Sequence, residues 1–240
     1  MSPLWDDRRV AEGMTAQLQW REERLAAGER PVGWKVAFSA PAAMANLGIE
    51  APLIGFLTDR ALVRSGAEFS LDGWVKPALE PEIAIHMADD LRAGADREEA
   101  AAAIGGLGAA IELADLDSAP EDVRHVVATN IFQRGVILGP VDESRRGGDA
   151  TGIVARVYDH DATVAEEHDP CSVVGDLVDV TRHVADLLGA FGSELSAGDV
   201  IISGSVVPLL WVEPGQHIRL DLEPLGRLDV RLVGDAAAAA

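Results

Sequence analysis

Two glutamates two residues apart, Glu80 and Glu82 in KPALEPEIAIHM, stand at the mouth of a run that otherwise reads as a buried strand. Successive side chains of a strand alternate faces, so Glu80, Glu82, Ala84 and His86 share one side. Pro81, Ile83, Ile85 and Met87 share the other, apolar side, which faces a core. The first side begins with two carboxylates that repel one another unless a cation joins them, and a lone carboxylate is costly to bury. A hard divalent ion with oxygen ligands removes both problems, and Mg²⁺ needs only a few carboxylates because water or substrate takes its remaining positions. Glu112, at the end of the apolar run GAAIEL, can meet the first pair across neighbouring strands. The structural alternative is an exposed polar face on an edge strand, with Glu112 beside a loop. Both readings stand on the residues alone.

Other residues bear on the same choice. Lys35 lies in GWKV among Val32, Trp34 and Val36, where a lysine either snorkels to the surface or serves as a positioned acid/base or carboxylate anchor. Asp59, in GFLTDRAL, is either a turn residue or a functional acid. Ser203, Gly204 and Ser205 end a strand, offering hydroxyls and a close-approach glycine to a substrate carboxylate, or forming an ordinary turn. The chain has no G-x-S-x-G elbow, no Walker loop, no G-x-G-x-x-G after a strand and no H-E-x-x-H. His160, His168 and His217 sit in polar surroundings and read as surface residues, while His86 reads as structural. Cys171 is the only cysteine, which excludes an internal disulfide framework and a Cys-based zinc cage.

The elements that must position these groups follow from periodicity. Leu4 to Ala27 carries apolar residues at helical spacing and stops at Gly28. Val32 to Phe38 reads as a strand, followed by a helix that Ser39 caps and Gly48 ends. From Ile54 onward short β-like runs alternate with Gly, Asp and Pro turns. A helix over Arg97 to Ala103 and another over roughly Val173 to Phe191 interrupt them, and HIRLDLEPLGRLDVRLV closes the chain as a hairpin. The expected fold class is α+β: a helical N-terminal cap with the first strand over 1–50, packed on a β-rich catalytic domain over 51–235, and a flexible alanine tail over 236–240.

The formal net charge is −20, and Lys35 and Lys76 are the only lysines, so no basic stretch exists to neutralise phosphates and nucleic acid is excluded as a partner. No apolar run is long enough to span a membrane, and the charged start MSPLWDDRRV lacks a signal core, so a cytoplasmic protein is expected.

Taken in order, GWKVAFS, IGFLTD, EPEIAIHM, AAIEL, TNIFQRGVILGP and VIISGS…VEPG resemble the 2-keto-4-pentenoate hydratase group of the fumarylacetoacetate hydrolase superfamily, which includes 4-oxalocrotonate decarboxylases. The resemblance covers nearly the whole chain. It implies a mixed β-roll with an N-terminal helical cap, a homo-oligomer, and a Mg²⁺ (or Mn²⁺) held by Glu80, Glu82 and Glu112. It further implies Lys35 and Asp59 as catalytic residues, and Asn130, Ser203, Gly204 and Ser205 as substrate-binding ones. The reaction so implied is addition of water to a 2-hydroxy-2,4-dienoate or 2-oxo-enoate, giving a 4-hydroxy-2-oxo acid. Alternatives are decarboxylation or C–C hydrolysis of a 2-oxo acid, or an inactive paralogue acting as a scaffold. The stretch ADLDSAPEDVRHVVATN departs from the group's pattern: it has no lysine or tryptophan, and Thr129 replaces an aspartate before Asn130. That departure bears on which substrate is taken.

Overall fold

The computed structural model describes residues 3–234; the tail expected at 236–240 lies outside the described residues. After a short 3₁₀ turn at Leu4–Asp6 come α1 (Arg8–Ala26), β1 (Pro31–Ala37), α2 (Pro41–Leu47), β2 (Leu53–Thr58), β3 (Glu68–Ser70) and β4 (Pro77–Met87). Next are α3 (Arg97–Ala103), β5 (Ile104–Asp115), α4 (Val123–Ala128), β6 (Gln133–Leu138), β7 (Val154–Asp159) and β8 (Ala162–Glu167). The chain ends with α5 (Cys171–Val174), α6 (Leu177–Ala190), β9 (Val200–Ser205), β10 (Leu210–Trp211), β11 (His217–Glu223) and β12 (Gly226–Val233).

One sheet runs β2-β1-β9-β4-β5-β6, with β10 added along β4; a second runs β3-β12-β11-β7-β8. The first sheet curls. Leu62, just past β2 at one edge, bridges in parallel to Val136 of β6 at the other, where the Val63 N–H donates to the Val136 carbonyl at 2.8 Å. The outer face of the curl carries Trp34, Phe56, Ile83, Ile85, Ile111 and Ile201 into the main core. Its inner face holds a separate small cluster of Leu57, Ala84, Ala110, Val136 and Ile202. The alternation in EPEIAIHM is therefore real, but both of its faces are interior.

β1 lies inside the curled sheet, antiparallel to β2 and parallel to β9, so residues before and after position 50 share one sheet. α1 packs on α4, and the buried Gln17 amide of α1 donates to the carbonyls of Ile54 (3.1 Å) and Val127 (2.7 Å).

Two local expectations change, and one stretch without an expected element gains a helix. Ala40, not Ser39, occupies the N-cap of α2, because Pro41 takes the first helical position and the preceding residue must be extended. The helix expected over roughly 173–191 is two helices, broken at Gly175 (φ 89°), with Asp176 capping α6 through the N–H groups of Val178 and Asp179. The divergent stretch after β5 contains a helix, α4, started by Asp122, whose carboxylate accepts from the His125 N–H.

Candidate metal centre

β4 is an interior strand, flanked by β5 and β9, which removes the edge-strand reading of its glutamates. Glu80 of β4 stands directly opposite Glu112 of β5, and Glu82 follows one pleat further on the same face. Carboxylate oxygens of all three lie within 4.8 Å of one another. Glu82 is 0 % and Glu112 1 % exposed, while Glu80 is half-buried. Lys35 reaches this cluster from β1. It is 1 % exposed and ion-paired with Oε1 of Glu112, and its Nζ also donates to the Ile131 carbonyl at 2.9 Å. Lys35 does not snorkel; it is buried in the carboxylate cluster.

The electrostatics show what the cluster lacks. Burial, reinforced by the Glu112 charge and opposed by Lys35, pushes the Glu80 carboxyl up to about 7. Glu82 is driven well above the usual carboxylate range by burial and then by the charges of Glu112 and Glu80. Burial also raises Glu112, against the lowering effect of Lys35. One lysine cannot balance three carboxylates, two of them fully buried and the third half-buried. Oε2 of Glu82 accepts from the Gly204 N–H at 2.6 Å, while its Oε1 is buried without a partner. An orphaned carboxylate oxygen facing two other carboxylates is a donor set for a hard divalent cation, and Mg²⁺ or Mn²⁺ suits an all-oxygen site. These residues fit such an ion.

The surrounding backbone is shaped for the cluster. Gly204 has φ 92°, and a Cβ there would come within 3.1 Å of Ser39 Oγ, so only glycine presents this N–H to Glu82 without strain. Gly55 stands opposite Lys35 on β2, where a Cβ would lie 2.7 Å from Asn130 Oδ1 and 3.0 Å from Lys35 Cγ. Asn130, Ile131 and Phe132 are all left-handed, with φ of 63°, 51° and 63°. That turn is clamped by the Asn130 amide, which accepts from the Phe56 N–H (2.7 Å) and donates to the Phe56 carbonyl (2.9 Å).

The other expected site residues divide. Ser203 is buried in the sheet, its hydroxyl accepting from the Ile83 N–H at 3.3 Å and donating to the Gly204 carbonyl at 3.2 Å. The Ser205 hydroxyl donates to the Val207 carbonyl at 2.8 Å. Asn130 lies beside Lys35 with both amide atoms committed to Phe56. Asp59 is not brought to the cluster. It lies four residues beyond Gly55, the partner of Lys35, roughly 13 Å along the strand, and its carboxylate holds the Arg30 N–H and guanidinium at 3.0 and 2.9 Å. Those contacts hold its carboxyl below the usual range. His86 lies on the carboxylate face beyond Ala84, with Nε2 buried and unpartnered. The Ile131 carbonyl and the Gly204 N–H escape a reading of side chains because they are main-chain groups. The available signals were the glycine in Ser-Gly-Ser and the asparagine, a residue that tolerates left-handed backbone.

With this geometry in place, the chain's relationships are clear. Residues 33–233 match the fumarylacetoacetate (FAA) hydrolase C-terminal family, and the chain belongs to that family. It is 27 % identical to a 4-oxalocrotonate decarboxylase of Pseudomonas sp, over 94 % of this chain and 88 % of that protein. It is also 27 % identical to a 2-hydroxyhexa-2,4-dienoate hydratase of Comamonas testosteroni, over 96 % and 90 %. Among solved structures, 4-oxalocrotonate decarboxylase from Pseudomonas putida G7, complexed with magnesium and adipate, superposes with a TM-score of 0.85 at 24 % identity, covering 97 % of this chain and 90 % of that one. These relatives are enzymes, and the fold with its curled sheet is theirs. A divalent metal is the ion class the site supports. No described helix is long and apolar enough to cross a membrane.

Proposed function

We propose that the protein is a divalent-metal-dependent lyase of 2-oxo acids, and that it adds water to a 2-hydroxy-2,4-dienoate or 2-oxo-enoate to give a 4-hydroxy-2-oxo acid. The observation that carries this reading is the quartet of half-buried Glu80 with buried Glu82, Glu112 and Lys35, one carboxylate oxygen being unpartnered. Glu80, Glu82 and Glu112 would hold Mg²⁺ or Mn²⁺. When bound, the ion supplies Lewis-acid polarisation of a 2-oxo carbonyl and neutralises the adjacent carboxylate.

The remaining work belongs to the chain. Lys35 has three N–H donors; Glu112 and the Ile131 carbonyl take two, leaving one for a substrate oxygen or a water. Held in this way, it can deliver or receive the proton that accompanies enol–keto interconversion, typically worth 10²–10⁴-fold in rate. Gly204 fixes Glu82 through its N–H, and the Asn130 clamp fixes the carbonyl on which Lys35 rests. Asp59 stays with Arg30 and has no part in this reading. Ala110, opposite Glu82, and Ala84, one pleat beyond it, give the carboxylates apolar neighbours on the same face.

Decarboxylation is the second reading, favoured by equal 27 % identity to a decarboxylase and to a hydratase. Incubation with Mg²⁺ and either 2-hydroxypenta-2,4-dienoate or 4-oxalocrotonate separates the two. Loss of dienoate absorbance with formation of a 4-hydroxy-2-oxo acid supports the hydratase, and CO₂ release supports the decarboxylase. Silence on both refutes the lyase reading.

A further inference from the structure

A strand irregularity beside the carboxylates aims one further polar side chain at their face. β6 runs antiparallel to β5, pairing Val136 with Glu112 and Gly135 with Leu113, but the next residue of β5, Ala114, stands opposite Gln133. Arg134 is the extra residue of this β-bulge. It is exposed, and its guanidinium donates to the Asp117 carboxylate at 2.6 Å. In a regular ladder Arg134 would face Ala114, and Gln133 would project to the other side of the sheet. With the bulge, Gln133 shares a face with Ala114, and Ala114 shares one with Glu112 two residues before it.

The amide so placed is unused. Its Nε2 is buried without a hydrogen-bond partner among the described residues. An unpaired buried donor of this kind costs about 1–3 kcal/mol. The backbone around it is nonetheless fixed: the Gln133 N–H donates to the Asn130 carbonyl at 3.2 Å, and the Asp115 N–H donates to the Phe132 carbonyl at 2.9 Å. Two residues earlier in the same turn the Ile131 carbonyl holds Lys35 Nζ, so the unpaired amide stands close along the chain to the lysine with a donor to spare. Asn130, the other amide of this turn, holds Phe56 with both of its side-chain polar atoms. Gln133 is therefore the amide of the turn with both Nε2 hydrogens available. It is uncharged, and an uncharged amide matches a hydroxyl, which can accept from Nε2 and donate to Oε1. In a 4-hydroxy-2-oxo acid that hydroxyl lies two carbon–carbon bonds and one carbon–oxygen bond from C2, a reach of about 4 Å. Ala114, opposite Gln133, is one pleat repeat from Glu112, about 7 Å, a span that the substrate and the glutamine side chain share.

We propose that Gln133, re-aimed by the bulge at Arg134, is a specificity-determining residue that binds the oxygen on C4, donating to it from Nε2. The inference rests on the hydratase reading and on Glu80, Glu82 and Glu112 as a metal site that takes the 2-oxo end.

The test compares 4-hydroxy-2-oxopentanoate, each C4 enantiomer separately, with 2-oxopentanoate, which has the same carbon chain and lacks only the hydroxyl. Calorimetric titration in the presence and absence of Mg²⁺ reads binding, and chromatography of the recovered solution gives the concentration of intact hydroxy acid. With Mg²⁺ the wild-type protein is expected to bind the better enantiomer about tenfold more tightly than 2-oxopentanoate, the worth of one hydrogen bond to a donor otherwise left unpaired. In Gln133→Leu that ratio should fall to within about twofold, while the affinity for 2-oxopentanoate holds within about threefold. The variant should also melt no lower than wild type in EDTA, because an apolar side chain of similar size replaces a buried amide donor that had no partner. Equal wild-type affinities, an unchanged ratio in Gln133→Leu, or a variant that melts several degrees lower, with Mg²⁺-dependent binding of both acids, would overturn the role of Gln133 and leave the metal reading standing. If Mg²⁺ promotes binding of neither acid, the metal reading and this inference fall together.

Discussion

Replacing Glu80 by glutamine should stabilise the metal-free protein at pH 8 while removing its response to metal. Glu80 is held at about 7 against an ordinary value of 4.5. A carboxyl raised on folding contributes stability that is present below 4.5 and is lost as pH rises through about 7. At pH 8 the ionised form therefore costs about 3 kcal/mol. An amide in the same place removes that cost but must find its own hydrogen bonds, an offset of about 1 kcal/mol. The net gain of about 2 kcal/mol corresponds to a melting temperature roughly 4–8 °C higher for a chain of this size. At pH 5 the ionisation cost is only about 0.8 kcal/mol, the amide offset cancels it, and the two proteins should melt together. Mg²⁺ at about 100 times its dissociation constant stabilises the wild type by about 2.7 kcal/mol and should barely move the variant, so the order of melting temperatures narrows or reverses. Differential scanning calorimetry at both pH values, with EDTA or with Mg²⁺, reads all four states. A variant that melts lower than wild type at pH 8 in EDTA would refute the claim that these carboxylates are mutually repulsive and uncompensated without a cation.

Lys35→Met should leave Glu112 buried without its counter-charge, lowering the melting temperature at pH 8 more than at pH 5, where Glu112 can take up a proton instead. The same variant should lose 10²-fold or more in lyase turnover, measured by loss of dienoate absorbance. Gly55→Ala should cost about 1–3 kcal/mol by denaturant unfolding, because the added methyl meets Asn130 Oδ1 at 2.7 Å and the Lys35 stem at 3.0 Å. Its turnover should fall as well, since both contacts set the position of Lys35.

How much of this was legible in the sequence depends on which physical rule each residue obeys. The period of two in EPEIAIHM placed Glu80 and Glu82 on one face, and the apolar run before Glu112 placed it on a strand; both follow from backbone geometry. Whether that face was exposed did not follow, because burial on both sides comes from the curl that carries Leu62 to Val136 across the sheet. On its sequence neighbours alone Lys35 suits a snorkelling residue, the commoner case, and only the fold encloses it. Asp59 follows an apolar strand just as a functional acid would, and in the fold it begins the turn after β2 and pairs with Arg30. Local signals worked where they were decisive. Gly48, at φ 60°, closes α2. They failed where neighbours competed, as when Pro41 moved the cap of α2 from Ser39 to Ala40. The resemblance implies Asn130 as a site residue, but its use of both amide atoms on Phe56 depends on a left-handed turn that side-chain types do not reveal.

The claim on which the rest depends is that Glu80, Glu82 and Glu112 bind one divalent cation. Titration of Mn²⁺ into the metal-free protein, with free ion counted by electron paramagnetic resonance, tests it directly. One site is expected in the wild type, lost in Glu82→Gln and kept in Glu98→Gln, whose carboxylate is exposed at the start of α3. Binding that survives Glu82→Gln, or no stoichiometric binding in the wild type, would contradict it.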